Sequence, residues 1–287
     1  MSNKRKVLDW LYRMQAREEI VDFDDLLTGA ASEALDYSGI AAEEYAESNR
    51  TRIWKGLLQE EAERTRDGLN PTFRLYNSTH KVGWHAFSTP RDKAERRRLL
   101  RLRSRPTVLS QIDSLTWREY EALGCLICGY CGAMQTHLTS PGNECGIDFF
   151  AVLYVSGNNH VFSGASSPLR IIGQSKKYDT PIDVEKIRGF NETLDDVRKL
   201  EQKASGIIPA WFRAARGPIV GWIVSHSGFQ NGARTRADNH GILASDSFDL
   251  AEIAALSRSL PEYFSPEKRA MEMSKQVKSI LDQFDSM

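Results

Sequence analysis

Between Leu115 and Leu256, apolar runs too short for an ordinary helix alternate with segments of helical periodicity, and this alternation constrains the fold more than any other feature. Pro218 to Ser225, with Ile219, Val220, Ile223 and Val224, has the length of a buried strand. Ala133 to His137, Ile147 to Val155, Leu169 to Ser175 and Gly241 to Ala244 also read as strands. Helices are predicted around them. Thr116 and Glu119 form a capping-box pattern opening a helix that carries Trp117, Tyr120, Leu123 and Ile127 on one apolar stripe and closes at Gly129. A second runs through Val184, Ile187, Leu194 and Val197, a third near Asn231 to Asn239, and a fourth from Leu250 to Leu256. Strands and helices in this order predict an α/β domain, a central mixed sheet flanked by helices.

The first third of the chain has a different pattern. Helical periodicity covers Lys6 to Gln15, Asp24 to Tyr37 and Ala41 to about Arg66, and Gly68, Asn70 and Pro71 end it. Thr72 to Tyr76 and Val82 to Phe87 then read as a hairpin turning at Asn77, Ser78 and Thr79. Three helices and a hairpin are the parts of a winged helix, which sets a helix in the major groove and the hairpin on the backbone. Trp84, His85 and Phe87 are candidates to stack on a base, but alternating aromatics on a strand more often fill a core. The length of 287 residues favours more than one domain. We expect a recognition domain with a basic linker over 1–105, an α/β domain over 106–262 and a C-terminal helix over 263–287.

Charge enters through its distribution. The chain holds 38 basic and 38 acidic residues, so its formal net charge of zero offers no overall attraction to nucleic acid. Yet Arg91, Lys93, Arg96, Arg97, Arg98, Arg101, Arg103 and Arg105 crowd into one stretch ending at Pro106, while acids concentrate in the first sixty residues. Such a stripe either holds phosphates or forms a solvated helix face. No apolar run approaches the roughly 18 residues of a membrane span. Met1 to Lys6 lead into an amphipathic segment, Val7 to Met14, rather than a secretory stretch, so cytoplasmic residence is expected.

Two segments carry candidate chemistry. Gly146-Ile147-Asp148-Phe149-Phe150 places an acid after a turn and before apolar residues. Further on, Ile171-Ile172-Gly173-Gln174-Ser175-Lys176 is an apolar strand ending in an amide and a lysine two apart, hence on one face. If the two strands are neighbours, a carboxylate, an amide oxygen and an ammonium converge. Phosphodiester cleavage uses such groups: Mg²⁺ takes oxygen ligands, which Asp148, Gln174 and a backbone carbonyl near Ser175 supply, and Lys176 orients or deprotonates the attacking water. A further carboxylate is needed beside the neutral amide, and Glu121, on the preceding helix, is the candidate. Glu119 already has a capping role.

The series Tyr120-Glu121 to Gly129-Tyr130, Gly146-Ile147-Asp148, Gln174-Ser175-Lys176, Ser225-His226-Ser227-Gly228-Phe229 with Gly232-Ala233-Arg234, and Gly241-Ile242-Leu243 resembles the Mrr family of restriction endonucleases, within the PD-(D/E)xK nuclease superfamily. The resemblance covers about half the chain. It implies a restriction-endonuclease-like domain that cuts DNA, often DNA bearing modified bases, with Mg²⁺ as cofactor and Mn²⁺ able to replace it. It puts the catalytic set on Asp148, Gln174, Lys176 and Glu121, and the metal ligands on Asp148, Gln174, Ser175 and Glu121. Arg96, Arg97, Arg98, Arg101, Arg103 and Lys177 are the candidate contacts to double-stranded DNA. A winged-helix N-terminal domain is common in the family, and cutting both strands calls for a homodimer or higher homo-oligomer. The sequence departs from the family at Gly142 to Cys145, at His226, read as a structural neighbour of the site, and over Phe190 to Arg216, an insertion that touches DNA, a second subunit or neither. The competing functions are a repair or junction-processing nuclease and a DNA-binding protein that no longer cuts.

Cys125, Cys128, Cys131 and Cys145 have a spacing that invites zinc. Cys125 and Cys128 fall in the helix expected to pack on the sheet, where free cysteine behaves as a small apolar residue, so neither zinc nor a disulfide is expected.

Overall fold

The computed structural model describes residues 2–142, 146–154, 168–199, 206–262 and 264–285. The chain divides into two compact units, Met1–Ser110 with Glu262–Glu267, and Gln111–Pro261 with Lys268–Met287.

In the first unit, α1 (Asn3–Arg13) is followed by β1 (Val21–Asp22), α2 (Phe23–Leu35), α3 (Gly39–Arg66), β2 (Phe73–Tyr76) and β3 (Lys81–Trp84). The strands form an antiparallel sheet in the order β1-β3-β2. Helix, strand, two helices and a hairpin, with the first strand closing the sheet, is winged-helix connectivity. β1 has no sequence signal because two residues pair only when the chain between α1 and α2 is laid against β3. Trp84 is buried against Phe73, as expected of a core aromatic, while His85–Phe87 leave the strand in a 3-10 turn.

The basic stretch is α4 (Lys93–Leu102), capped by the Asp92 carboxylate on the Glu95 N–H at 2.8 Å. Pro106, where the expected basic linker ends, stands in the first turn of α5 (Arg105–Ser114), where its missing N–H costs no intrahelical bond.

The second unit is the expected α/β domain, a mixed sheet of five strands flanked by helices. α6 (Trp117–Tyr130) opens on the anticipated capping box, Thr116 Oγ1 accepting from Glu119 N and Glu119 Oε2 from Thr116 N. β4 (Ala133–Leu138), β5 (Phe149–Leu153) and β6 (Leu169–Lys176) are antiparallel neighbours. α7 (Val184–Arg198) and the short α8 (Ala210–Ala214) precede β7 (Ile219–Ser225), which is parallel to β6. α9 (Asn231–Asn239) leads to β8 (Leu243–Asp246), parallel to β7. α10 (Ser247–Leu256) and α11 (Pro266–Asp285) complete the unit.

Several boundaries move. β5 begins at Phe149, just after the acid rather than one residue before it, and Val155 lies outside the described residues. β8 starts at Leu243 because Gly241, at φ +64°, is still turning out of α9. In the C-terminal helix, Gln276 Oε1 accepts from Tyr130 of α6 at 2.9 Å, and Arg269 donates to the carbonyls of Ala255, Ser257, Leu260 and Pro261.

One core lies between the sheet and α7 and α9, with Phe150, Ile172, Ile187, Phe190, Leu194 and Ile223 at its centre. On the other face, α6 approaches so closely that a Cβ on Gly124 would stand 2.3 Å from the Phe149 ring and one on Gly173 1.9 Å from it. That close approach sets the N-terminal turns of α6 beside the start of β5 and the end of β6. Trp117 does not join this packing. Placed by periodicity on the apolar stripe, it is 59% exposed, because the helix begins at this residue and its first turn projects past the sheet.

Candidate active site

Asp148 sits one residue before β5, where its N–H still donates to Gly173 O at 2.9 Å and its carbonyl accepts from Thr139 N at 2.9 Å. Backbone bonds on both sides therefore fix the carboxylate, whose Oδ2 accepts from Ser175 N at 2.6 Å. This contact joins two segments of sequence that share no local signal. It brings the acid to the residue between Gln174 and Lys176.

Strand geometry orients the rest. Gln174 and Lys176 share the face of Ile172, while Ser175 shares that of Gly173, towards α6. Gln174 is buried and its Nε2 donates to Gly146 O, which orients the amide. Gly146 is required there: its φ is +64°, and a Cβ would stand 2.7 Å from that nitrogen. N–H and C=O of one strand residue point to the same side of the strand. Gly173 O and Ser175 N both face the chain leading into β5, whereas Lys176 O faces β7 and accepts from His226 N at 2.9 Å. The Ser175 carbonyl is therefore directed past the start of β5, on the side of the Asp148 carboxylate.

Glu121 projects from the second turn of α6. Its Oε2 accepts from Arg118 Nη1 at 2.6 Å, both side chains being 15% exposed. Arg118 Nη2 also donates to Thr139 O at 2.6 Å. Burial, with repulsion from Glu121, pushes the Asp148 carboxyl up to about 7, against the Ser175 hydrogen bond and the attraction of Lys176 and Arg118. Glu121, Lys176 and Arg118 thus all act electrostatically on Asp148.

Among the described residues, no group of three or more His, Cys, Asp and Glu is placed to hold a metal ion. A cation here would have to take two carboxylates, an amide oxygen and a backbone carbonyl. That all-oxygen set suits a hard ion such as Mg²⁺. The fit has a second support, because Asp148 is a carboxylate held up near neutrality by burial, a charge that a cation would stabilise. Cys125 and Cys128 are buried on α6 with burial pushing their thiols up, Cys131 is exposed, and Cys145 lies outside the described residues.

No protein-family model matches the sequence, and no curated protein matches it. Two solved structures are similar to it. One is described as the DNA modification-dependent restriction endonuclease AspBHI, 13% identical, with a TM-score of 0.39, over 61% of this chain and 40% of that one. The other is MspJI restriction endonuclease in complex with a 27-mer oligonucleotide, 15% identical, with a TM-score of 0.39, over 64% of this chain and 36% of that one. The matched region is well under half of either protein. The functional reading accordingly rests on the side chains of this chain.

The expected DNA contacts divide into two groups. Arg96 and Arg98 are exposed on α4. Arg97, its side chain 54% exposed, and Arg101 both pair with Glu262, and Arg103 lies 4.0 Å over the Phe87 ring. Lys177 is also committed, its Nζ donating to Asp113 O at 2.7 Å. Asp113 in turn accepts from His226, Oδ1 to Nε2 at 3.0 Å, and the His226 ring stands edge-on to Tyr120. His226 therefore ties the end of β7 to α5 and α6. Of the insertion, α8 is described: Phe212 is buried against Phe150, and residues 200–205 lie outside the description.

Three residues of the site were missed in the sequence. Arg118 stands three before Glu121, an ion-pair spacing that was readable once Glu121 had been chosen. Thr139 and Asp113 had no such signal, since their partners are fixed only when strands and helices come together.

Proposed function

We propose that the chain is a divalent-cation-dependent endonuclease of restriction type, related to the Mrr proteins, that hydrolyses phosphodiester bonds in double-stranded DNA. The observation that carries the reading is the hydrogen bond from Ser175 N to Asp148 Oδ2, which gathers an acid, an amide and a lysine at one end of the sheet. The mixed sheet with a helix leading into three antiparallel strands supports it.

Asp148, Glu121, the Gln174 amide oxygen and the Ser175 carbonyl would hold Mg²⁺, with Mn²⁺ able to replace it. When bound, such an ion polarises the phosphoryl group and acidifies water. The protein's own part is positional. Gly146 fixes the Gln174 amide, and Ser175 N fixes the acid. Lys176, on the face of Gln174, holds a proton where charge develops on the phosphate and orients the attacking water. The first unit, with winged-helix connectivity and Arg96 and Arg98 exposed, would choose the target. A second copy would cut the opposite strand. Among the described residues no helix is long and apolar enough to cross a membrane.

Supercoiled plasmid, with and without methylated cytosine, incubated with Mg²⁺ tests this directly. Nicked or linear product is expected from the wild type, and Lys176→Ala should lose at least about a hundredfold in rate. Dependence on sequence or methylation distinguishes a restriction enzyme from a repair or junction nuclease, which would cut by DNA shape. Equal cleavage by Lys176→Ala and wild type would reject the site.

A further inference from the structure

Arg118 occupies an unusual place for an arginine, partly buried beside a carboxylate that the proposed function assigns to a cation. Its guanidinium is held on three sides. Nη1 donates to Glu121 Oε2 at 2.6 Å, Nη2 donates to Thr139 O at 2.6 Å, and the Phe284 ring of α11 covers it with its centroid 5.0 Å from Cζ. Thr139 is itself part of the mount for Asp148, its N–H on Asp148 O and its hydroxyl on Ile147 O. α11 is tied to the far end of α6 through Gln276 and Tyr130, so it runs beside α6 and delivers Phe284 to the arginine. The guanidinium is thus built into the scaffold of both acids and is not a side chain that happens to fall near one of them.

The charges explain why that matters. Asp148 and Glu121 carry two negative charges when ionised, and Lys176 and Arg118 carry two positive charges. The centre is therefore formally balanced before any ion arrives. A divalent cation entering alone would leave it two charges positive, in a partly buried place where unscreened charge is costly. A DNA phosphate arriving with the ion removes part of that excess.

Resting on the proposed nuclease reading, we infer that Arg118 makes divalent-cation binding wait for DNA: it is a positioning residue and resident counter-ion of Glu121, and it couples the cation to the phosphodiester. Coupling of this kind is reciprocal, so the cation also strengthens DNA binding by the same factor. Glu121 is held in place between turnovers because its partner is a fixed guanidinium.

The test is calorimetric titration of the full chain with Ca²⁺, an oxygen-seeking divalent probe, with and without a DNA duplex. The wild type should bind Ca²⁺ more tightly with duplex than without. Arg118→Gln keeps donors for Thr139 O and Glu121 but removes the charge. It should bind Ca²⁺ about tenfold more tightly than wild type without DNA, and the effect of duplex should shrink. Arg118→Lys keeps the charge and should stay near the wild type in the absence of DNA, which also guards against a variant that fails to fold. If Arg118→Gln binds Ca²⁺ no more tightly than wild type while Asp148→Ala abolishes binding, the role given to Arg118 is wrong and the metal centre stands. If Asp148→Ala binds Ca²⁺ as the wild type does, the metal centre itself is wrong and the inference falls with it.

Discussion

Each unit contains an acid taken largely out of water, and the two acids are treated differently. Glu61, in α3 of the first unit, accepts from the N–H groups of Thr72 and Phe73 at 2.8 and 3.2 Å and lies beside the Tyr12 hydroxyl and two arginines, Arg64 and Arg105. Burial raises its carboxyl, and every other neighbour acting on it lowers it again. Asp148, in the second unit, accepts from one N–H and faces a second carboxylate, Glu121, which raises it further. The first acid is a bracket between α3 and β2. The second is faced by a carboxylate as well as by Lys176 and Arg118, so a like charge adds to its burial. Desolvation is common to both, so burial alone identifies neither; the presence of a second carboxylate separates them.

The comparison can be broken most decisively at Asp148. Asp148→Asn should abolish Ca²⁺ binding and reduce Mg²⁺-dependent cleavage at least about a thousandfold, because the amide cannot carry the charge the ion requires. Glu61→Gln should leave Ca²⁺ binding unchanged. Retained cation binding in Asp148→Asn would remove the functional half of the contrast.

A smaller effect is expected from pH. Asp148 titrates in the folded protein near 7, above its ordinary 3.8. The stabilising contribution of its protonated form is therefore complete below about 3.8 and is lost as pH rises through 7. Without metal, thermal stability of the wild type should fall between pH 5 and pH 8 relative to Asp148→Asn. Cation affinity runs the other way, since the ion takes the ionised form, and should rise about tenfold from pH 6 to pH 8. A wild-type affinity that is flat across this range would place the acid's titration elsewhere.

The structural acid gives the next effect. Glu61→Ala leaves two buried N–H groups unpaired and should cost about 2 kcal/mol or more in the stability of the first unit, read by chemical denaturation. Glu61→Gln, which keeps an acceptor, should cost less. The smallest effect belongs to the cap of α6, where Thr116→Ala should cost about 1 kcal/mol without altering cation binding.

How much of this was legible beforehand depends on the distance over which each feature is specified. The capping box at Thr116 and Glu119, the core face of α7 and the strand at Ile219–Ser225 are decided by residues within a few positions of one another, and hydrophobic period and cap chemistry are enough to read them. The candidate site was legible as two motifs and a resemblance, because Gln174 and Lys176 share a face by strand geometry alone. Arg118 was legible only as the ion-pair partner of Glu121, and the placement of Trp117 was not legible, since it depends on how α6 lies against the sheet. The pairing of Arg97 and Arg101 with Glu262, far along the chain, was not legible in the basic stretch.

By itself, then, the sequence determined most of the elements, the mixed α/β character of the second unit, the helical character of the first and the identities of the groups available for chemistry. Only the tertiary structure decided which of those groups meet. Asp148 reaches Ser175 because β5 and β6 pair antiparallel in one register, and shifting that register by a single residue would turn every side chain of β5 to the opposite face. Such a register is fixed by the packing of Phe149 over Gly124 and Gly173, three residues from three different elements, and no local pattern encodes a contact among them.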